Sequence, residues 1–181
     1  MPETNGESAW VTLVTGDRVR LETTPDGRTA VEVAPARTRT SVQFVRRVGA
    51  DGALSIIPAD ALPLLAAGRL DPRLFDVSLL RAQGLGDGGR STLPLIVMRG
   101  RATGTPLTRA RIRKNLESIG AQAVELDKQD ADAFWAALTP AGTDRKLALG
   151  VEKIWLDGKA RISLAESAPQ IGAPSVWAEG F

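Results

Sequence analysis

The feature that most limits what this chain can fold into is a two-residue alternation of apolar and polar side chains, broken at short intervals by turn formers. In "AWVTLVTGDRVRLETT" (9–24), Val11 and Leu13, then Val19 and Leu21, alternate with polar neighbours on either side of Gly16 and Asp17. Period-two alternation around a tight Gly-Asp turn predicts a β-hairpin. "TPDGRTAVEV" adds a Pro-Asp-Gly turn and another strand through Val31 and Val33, and turn residues of this kind favour reversal over continuation. "SVQFVRRV" and "ALSIIP" then pair across "GADG" (49–52). "ADALPLLAAGRL" (59–70) predicts a short helix, with Asp60 as its cap, Pro63 in its first turn and Gly68 at its end. "DPRLF" gives one more turn, and "DVSLL" is expected to resume strand. Residues 9–81 are therefore expected to form a β-rich N-terminal unit, followed by a linker at 82–92.

The second half changes character. The run Leu95, Ile96, Val97 and Met98 within strand 93–99 predicts burial on both faces. Residues 105–119 fit two templates. Ile112, Leu116 and Ile119 have helical spacing, whereas Ala110, Ile112 and Leu116 suit an alternating strand with Lys114 out of place. "GAQAVELDK" (120–128) predicts a strand with Ala121, Ala123 and Glu125 on one face and Gln122, Val124 and Leu126 on the other. "DKQDADAFWAALTP" predicts a helix capped by Asp127, with Asp130 and Asp132 in its first turn, where the helix dipole favours negative charge. Phe134, Trp135 and Leu138 would share its buried face, backed by Ala131, and Pro140 follows its end. "LALGVEKIWLDGKARIS" closes the half as a long strand, broken at Asp157 and Gly158.

Composition narrows function more than fold. The 181 residues contain neither cysteine nor histidine, which excludes disulfides, cysteine nucleophiles, Ser-His-Asp triads and His-ligated zinc. A formal charge of +2 is too small an excess to demand a nucleic-acid partner, which needs clustered basic residues. The densest basic stretch, "RTRTSVQFVRR" (37–47), suits a solvated strand edge better than an anion contact. No apolar run reaches the roughly 20 residues of a membrane span.

The formal G-x-G-x-x-G at Gly84, Gly86 and Gly89 precedes a strand and not a helix, so it lacks the helix N-terminus that holds a dinucleotide's phosphates. Glu117, Glu125, Asp127, Asp130 and Asp132 are the only dense acidic group, and a cap, a first helical turn and strand faces account for them without a metal. Trp135 beside Phe134 suits core packing better than a stacking platform. Lys159 and Ser163 form a conceivable Ser-Lys pair, but no surrounding residues indicate a pocket. No catalytic residue, metal or cofactor is expected.

The tail "GKARISLAESAPQIGAPSVWAEGF" (158–181) carries Trp177 and Phe181 with nothing after them. Its segment "SLAESAPQIGAP", an aromatic and "AEGF" resemble the junction between propeptide and mature enzyme in secreted bacterial subtilisin-like serine proteases. "WVTLVTGDRVRL", "IPADALPLLAAGRLDPRLFDV", "LPLIV", "DKQDADAFWAAL" and "VEKIWLDGKARISL" resemble, in order, the long propeptide of one bacterial branch of that family. The resemblance spans nearly the whole chain.

The resemblance implies an intramolecular chaperone and product-like inhibitor of a subtilisin-like catalytic domain. Arg161, Ile162, Ser163 and Leu164 would lie in the protease cleft, with Leu164 in the primary specificity pocket. Processing would fall between Leu164 and Ala165, making 165–181 the start of the mature protease. Asp157 lies nearest the position where family propeptides cap helices of the enzyme. Arg161 departs from the small or apolar residue common at its site. The implied fold is α+β, in which 93–164 form a ferredoxin-like antiparallel sheet with helices on one face. If 105–119 is strand, the first of those helices is reduced to a turn near Pro106. The resemblance also implies secretion and a monomer when isolated, with neither a nucleic-acid nor a membrane partner. The alternatives are a stand-alone protease inhibitor of the same fold and a basic β-rich module that binds polyanions through 37–47.

Overall fold

The structure, a computed structural model, describes residues 10–23, 29–100, 107, 109–140 and 145–158. Trp10–Thr12 (β1), Arg18–Thr23 (β2) and Thr29–Ala34 (β3) form an antiparallel sheet in the order β1-β2-β3, with Val11 opposite Val19. Phe44–Val48 (β4) and Leu54–Pro58 (β5) form a second antiparallel pair. The predicted strands thus appear where alternation and turn residues place them. The Pro-Asp-Gly turn lies outside the described residues.

Two elements of this half differ from expectation. The helix at 59–70 is a 3-10 turn over Ala59–Ala61 running into Leu62–Ala66 (α1). Asp60 does not cap it, because its carboxylate is held by Arg39 and Trp135. Gly68 ends it as predicted, at φ +67°, a conformation glycine adopts without a Cβ penalty. "DPRLF" forms the predicted turn, a 3-10 segment over Pro72–Phe75 with Asp71 accepting from the Arg73 N–H at 3.0 Å. "DVSLL" is not strand but the helix Val77–Ala82 (α2). Asp76 caps it by accepting from the Leu79 N–H at 2.8 Å, and Val77 and Leu80 are buried one turn apart. A capping acid and a three-residue apolar spacing outweigh the strand preference of valine here.

The second half is a four-stranded antiparallel sheet of Thr92–Arg99 (β6), Ala110–Leu116 (β7), Ala121–Asp127 (β8) and Val151–Leu156 (β9), ordered β7-β8-β6-β9. The ambiguous segment 105–119 is strand from Ala110, followed by a 3-10 turn over Glu117–Ile119. Most of the connection from β6 to β7, including Pro106, lies outside the described residues. Asp127 accepts from the Gln129 N–H at 3.0 Å and opens a 3-10 turn that continues into Ala131–Leu138 (α3). Phe134, Trp135 and Leu138 are buried as expected, and Trp135 at 1% exposure offers no stacking surface. The fold class is α+β.

One core runs through both halves. Val11, Leu13 and Val19 from the first sheet join Leu74, Phe75 and Leu80, and with them Leu93, Leu95, Val124, Leu126, Phe134 and Ile154. Two partly buried polar networks cross between the halves. Asp17, fully buried, accepts from Thr15 Oγ1 at 2.6 Å, from the Ala36 N–H at 2.9 Å and from Arg39 Nε at 3.2 Å. The same guanidinium grips Asp60 at 2.6 and 2.9 Å, and Trp135 Nε1 of α3 donates to Asp60 at 3.1 Å. Arg39, expected on a solvated edge, is instead drawn inside because the two carboxylates need its charge. In the second network Asp87 accepts from the Thr12 N–H and hydroxyl, each at 2.9 Å, and from Lys128 Nζ at 3.0 Å. Segment 82–92, which joins the halves, is fastened at Asp87 by these bonds and at buried Leu85. Gly16 completes the contact. At φ +82°, a Cβ there would sit 2.7 Å from the backbone nitrogen of Asp132, so the β1–β2 turn touches α3 only because no side chain intervenes.

Candidate functional site

The four-stranded sheet has two unlike faces. Leu93, Leu95, Val97, Val124, Leu126, Ile154 and Leu156 point into the core and are at most 2% exposed. The opposite face carries Pro94, Ile96 and Met98 of β6, Ala121, Ala123 and Glu125 of β8, and Lys153 and Trp155 of β9, as their register shows. Ile96, Met98, Ala123, Lys153 and Trp155 remain partly exposed. The expectation that β6 is buried on both faces is therefore corrected. Its second face is apolar yet reaches solvent, and Lys153 lies over the Trp155 ring at 5.0 Å.

The edges of this sheet also differ. Outside β9, Ile154 donates to the Arg69 carbonyl and accepts from the Asp71 N–H, each at 2.9 Å. The Asp71 carboxylate takes the Leu156 N–H at 3.3 Å, and Arg73 donates to the Leu156 carbonyl at 3.3 Å. β9 is thereby clamped on both sides as far as Leu156. One residue on, the Asp157 N–H donates to the Pro94 carbonyl at 3.0 Å. In an extended strand a residue's C=O and N–H point the same way, so Pro94 would have to return a bond to Asp157. Proline has no N–H to give. The strand ends at Leu156, and exposed Asp157 and half-buried Gly158 follow outside it. A proline is tolerated in this central strand because it sits where its neighbour ends.

Strand β7 forms the other edge. Between Ile112, opposite Val124, and Lys114, opposite Ala123, Arg113 has no partner and forms a bulge. An added residue reverses the alternation, so Lys114 lies on the same face as Arg111. Arg111 and Arg113 both reach Glu125, at 2.9 and 3.0 Å, and Arg90 joins them at 2.8 Å. The Arg111 hydrogen bond, with the neighbouring guanidinium charges, holds the Glu125 carboxyl below its usual pKa.

Of the predicted site residues, Asp157 is described and stands at the exit from the sheet. Arg161, Ile162, Ser163, Leu164 and Ala165 lie outside the described residues, as do Lys159, Trp177 and Phe181. The acidic group does not converge: Glu125 is held by arginines, Asp127 caps a turn and Asp130 pairs with Arg109 at 3.0 Å. Among the described residues no cluster of acids could hold a metal ion. No described helix is long and apolar enough to cross a membrane. The arginine corner escapes the sequence reading; the bulge that assembles it leaves only the misplaced phase of Lys114 as a signal. Comparison with protein-family models, curated proteins and solved structures finds no match.

Proposed function

We propose that this chain is the propeptide of a secreted subtilisin-like serine protease, a folding template and then a product-like inhibitor of the catalytic domain. The observation that carries the reading is the exit of the chain at Asp157, beside a partly exposed apolar sheet face. A strand released from the sheet there can run on as Arg161–Leu164 into a protease cleft, where main-chain pairing would hold it. The sheet face would supply the remaining contact area. A short peptide alone binds weakly; a preformed sheet that aims it lowers the entropic cost of ordering. The β7-β8-β6-β9 order, with α3 between β8 and β9, also suits the ferredoxin-like sandwich that the resemblance implies.

In this reading the N-terminal unit backs the sheet with a permanent core, so the propeptide is expected to fold before meeting its enzyme. The test is a titration of the full chain against an active subtilisin-like protease, beside Leu164→Asp. Stoichiometric inhibition, a cut between Leu164 and Ala165, and loss of inhibition in the Asp variant are expected. No inhibition by the unaltered chain would overturn the proposal.

A further inference from the structure

The arginine corner is oversupplied with charge for a purely structural role. A single carboxylate, Glu125, is 12% exposed and already shared by three guanidiniums, whose own side chains are 41%, 72% and 58% exposed at Arg90, Arg111 and Arg113. One anion neutralises one of them, and among the described residues no other acid forms an ion pair with these three. Two strands, a bulge and the segment before β6 converge to build this corner. Without the bulge, Lys114 would point away from it. The corner lies on the same sheet face as Pro94, Ile96, Ala123 and Trp155, so an apolar centre has a basic rim on one side. An apolar centre with a charged rim is the layout of a protein–protein contact.

We propose that this corner receives carboxylates from the docked partner, so that the protease surface facing β7 is acidic. This rests on the propeptide reading above and adds the partner's chemistry at one edge of the contact. Glu125 fixes the guanidinium forks, and arginine's planar fork suits paired recognition of carboxylates. The apolar centre beside the corner favours a folded protein over a flexible polyanion. The 37–47 stretch is a poorer anion surface, since Arg39 is spent inside.

The experiment measures association of the full chain with the protease, inactivated at its serine, at 50 and 500 mM salt. Charged rims act mainly on association rate, and salt screens them. The expected result for Arg111→Glu with Arg113→Glu is association slowed about tenfold at 50 mM, with most of the difference gone at 500 mM. Arg111→Gln with Arg113→Gln should fall between the unaltered chain and the Glu pair, and a thermal melt of each variant checks that it folds. Leu164→Asp is run in parallel against active enzyme. If Leu164→Asp abolishes inhibition but the arginine variants associate at the unaltered rate at both salts, the acidic-partner inference is wrong and the propeptide reading stands. The inference fails in the same way if the variants lose only heparin binding, which would assign the corner to polyanions. No inhibition by the unaltered chain removes both.

Discussion

The two faces of the four-stranded sheet are built from the same strands and have opposite fates. Leu95 and Ile96 are neighbours in β6, yet Leu95 is fully buried whereas Ile96 reaches solvent. The shut face is covered by a core shared with the N-terminal unit and locked at its margins by Asp17–Arg39–Asp60 and Asp87–Lys128. The open face is apolar at its centre and basic along one edge, with no such lock across it among the described residues. The N-terminal unit thus does for one face what a partner is proposed to do for the other. Substitutions on the shut side should act on stability, and those on the open side on binding.

The largest expected loss comes from the lock. Arg39→Ala leaves Asp17 buried without its counter-charge, which typically costs about 3–5 kcal/mol, and a urea melt should show it. Leu95→Ala should cost about 2–5 kcal/mol by cavity formation, against about 1 kcal/mol or less for Ile96→Ala on the open face, where part of the side chain is already hydrated. Equal losses for that pair would erase the distinction between the faces. Gly16→Ala comes next, at about 1–3 kcal/mol, because the backbone must move off Asp132.

Acid should loosen the shut side by a smaller, graded amount. Burial pushes the Asp60 and Asp87 carboxyls up, but bonds and charge from Arg39 and Trp135 at Asp60, and from Lys128 and Thr12 at Asp87, outweigh it. Both net pKa values lie below the ordinary 3.8. A carboxyl with a depressed folded pKa stabilises fully above the unfolded value and loses that contribution as pH falls through the folded one. Thermal midpoints should therefore hold steady from neutral pH to about 5 and drop below about 4, and Asp87→Asn should flatten that drop. The smallest effect is expected at the corner: Arg113→Gln should change stability by no more than about 0.5 kcal/mol, since exposed ion pairs contribute little.

Much of this architecture is legible in the residues. Alternation around Gly16 and Gly52 places the hairpins, and Asp127 with the Phe134, Trp135 and Leu138 spacing places α3. What fails is what depends on distant partners. Asp60 reads as a cap because its neighbours begin a helix; only the fold brings Arg39 and Trp135 to it. "DVSLL" reads as strand because valine and leucine favour both states, and the cap at Asp76 decides. Lys114 looks misplaced in an alternating strand because Arg113 bulges and reverses the phase beyond it. Pro94 is visible in the sequence, but its consequence for Asp157 requires knowing that β6 and β9 are neighbours. The proposed cleft residues 161–164 come from resemblance alone.

Docking through the open face can be tested by oxidative footprinting of the full chain, free and bound to a serine-inactivated subtilisin-like protease. Trp155 and Met98 lie on the open face, whereas Trp135 is buried in the core, away from the proposed contact. Trp155 and Met98 should label in the free chain and become shielded on binding, while Trp135 stays unlabelled throughout. Stoichiometric binding that leaves the labelling of Trp155 and Met98 unchanged would mean that the partner does not cover this face.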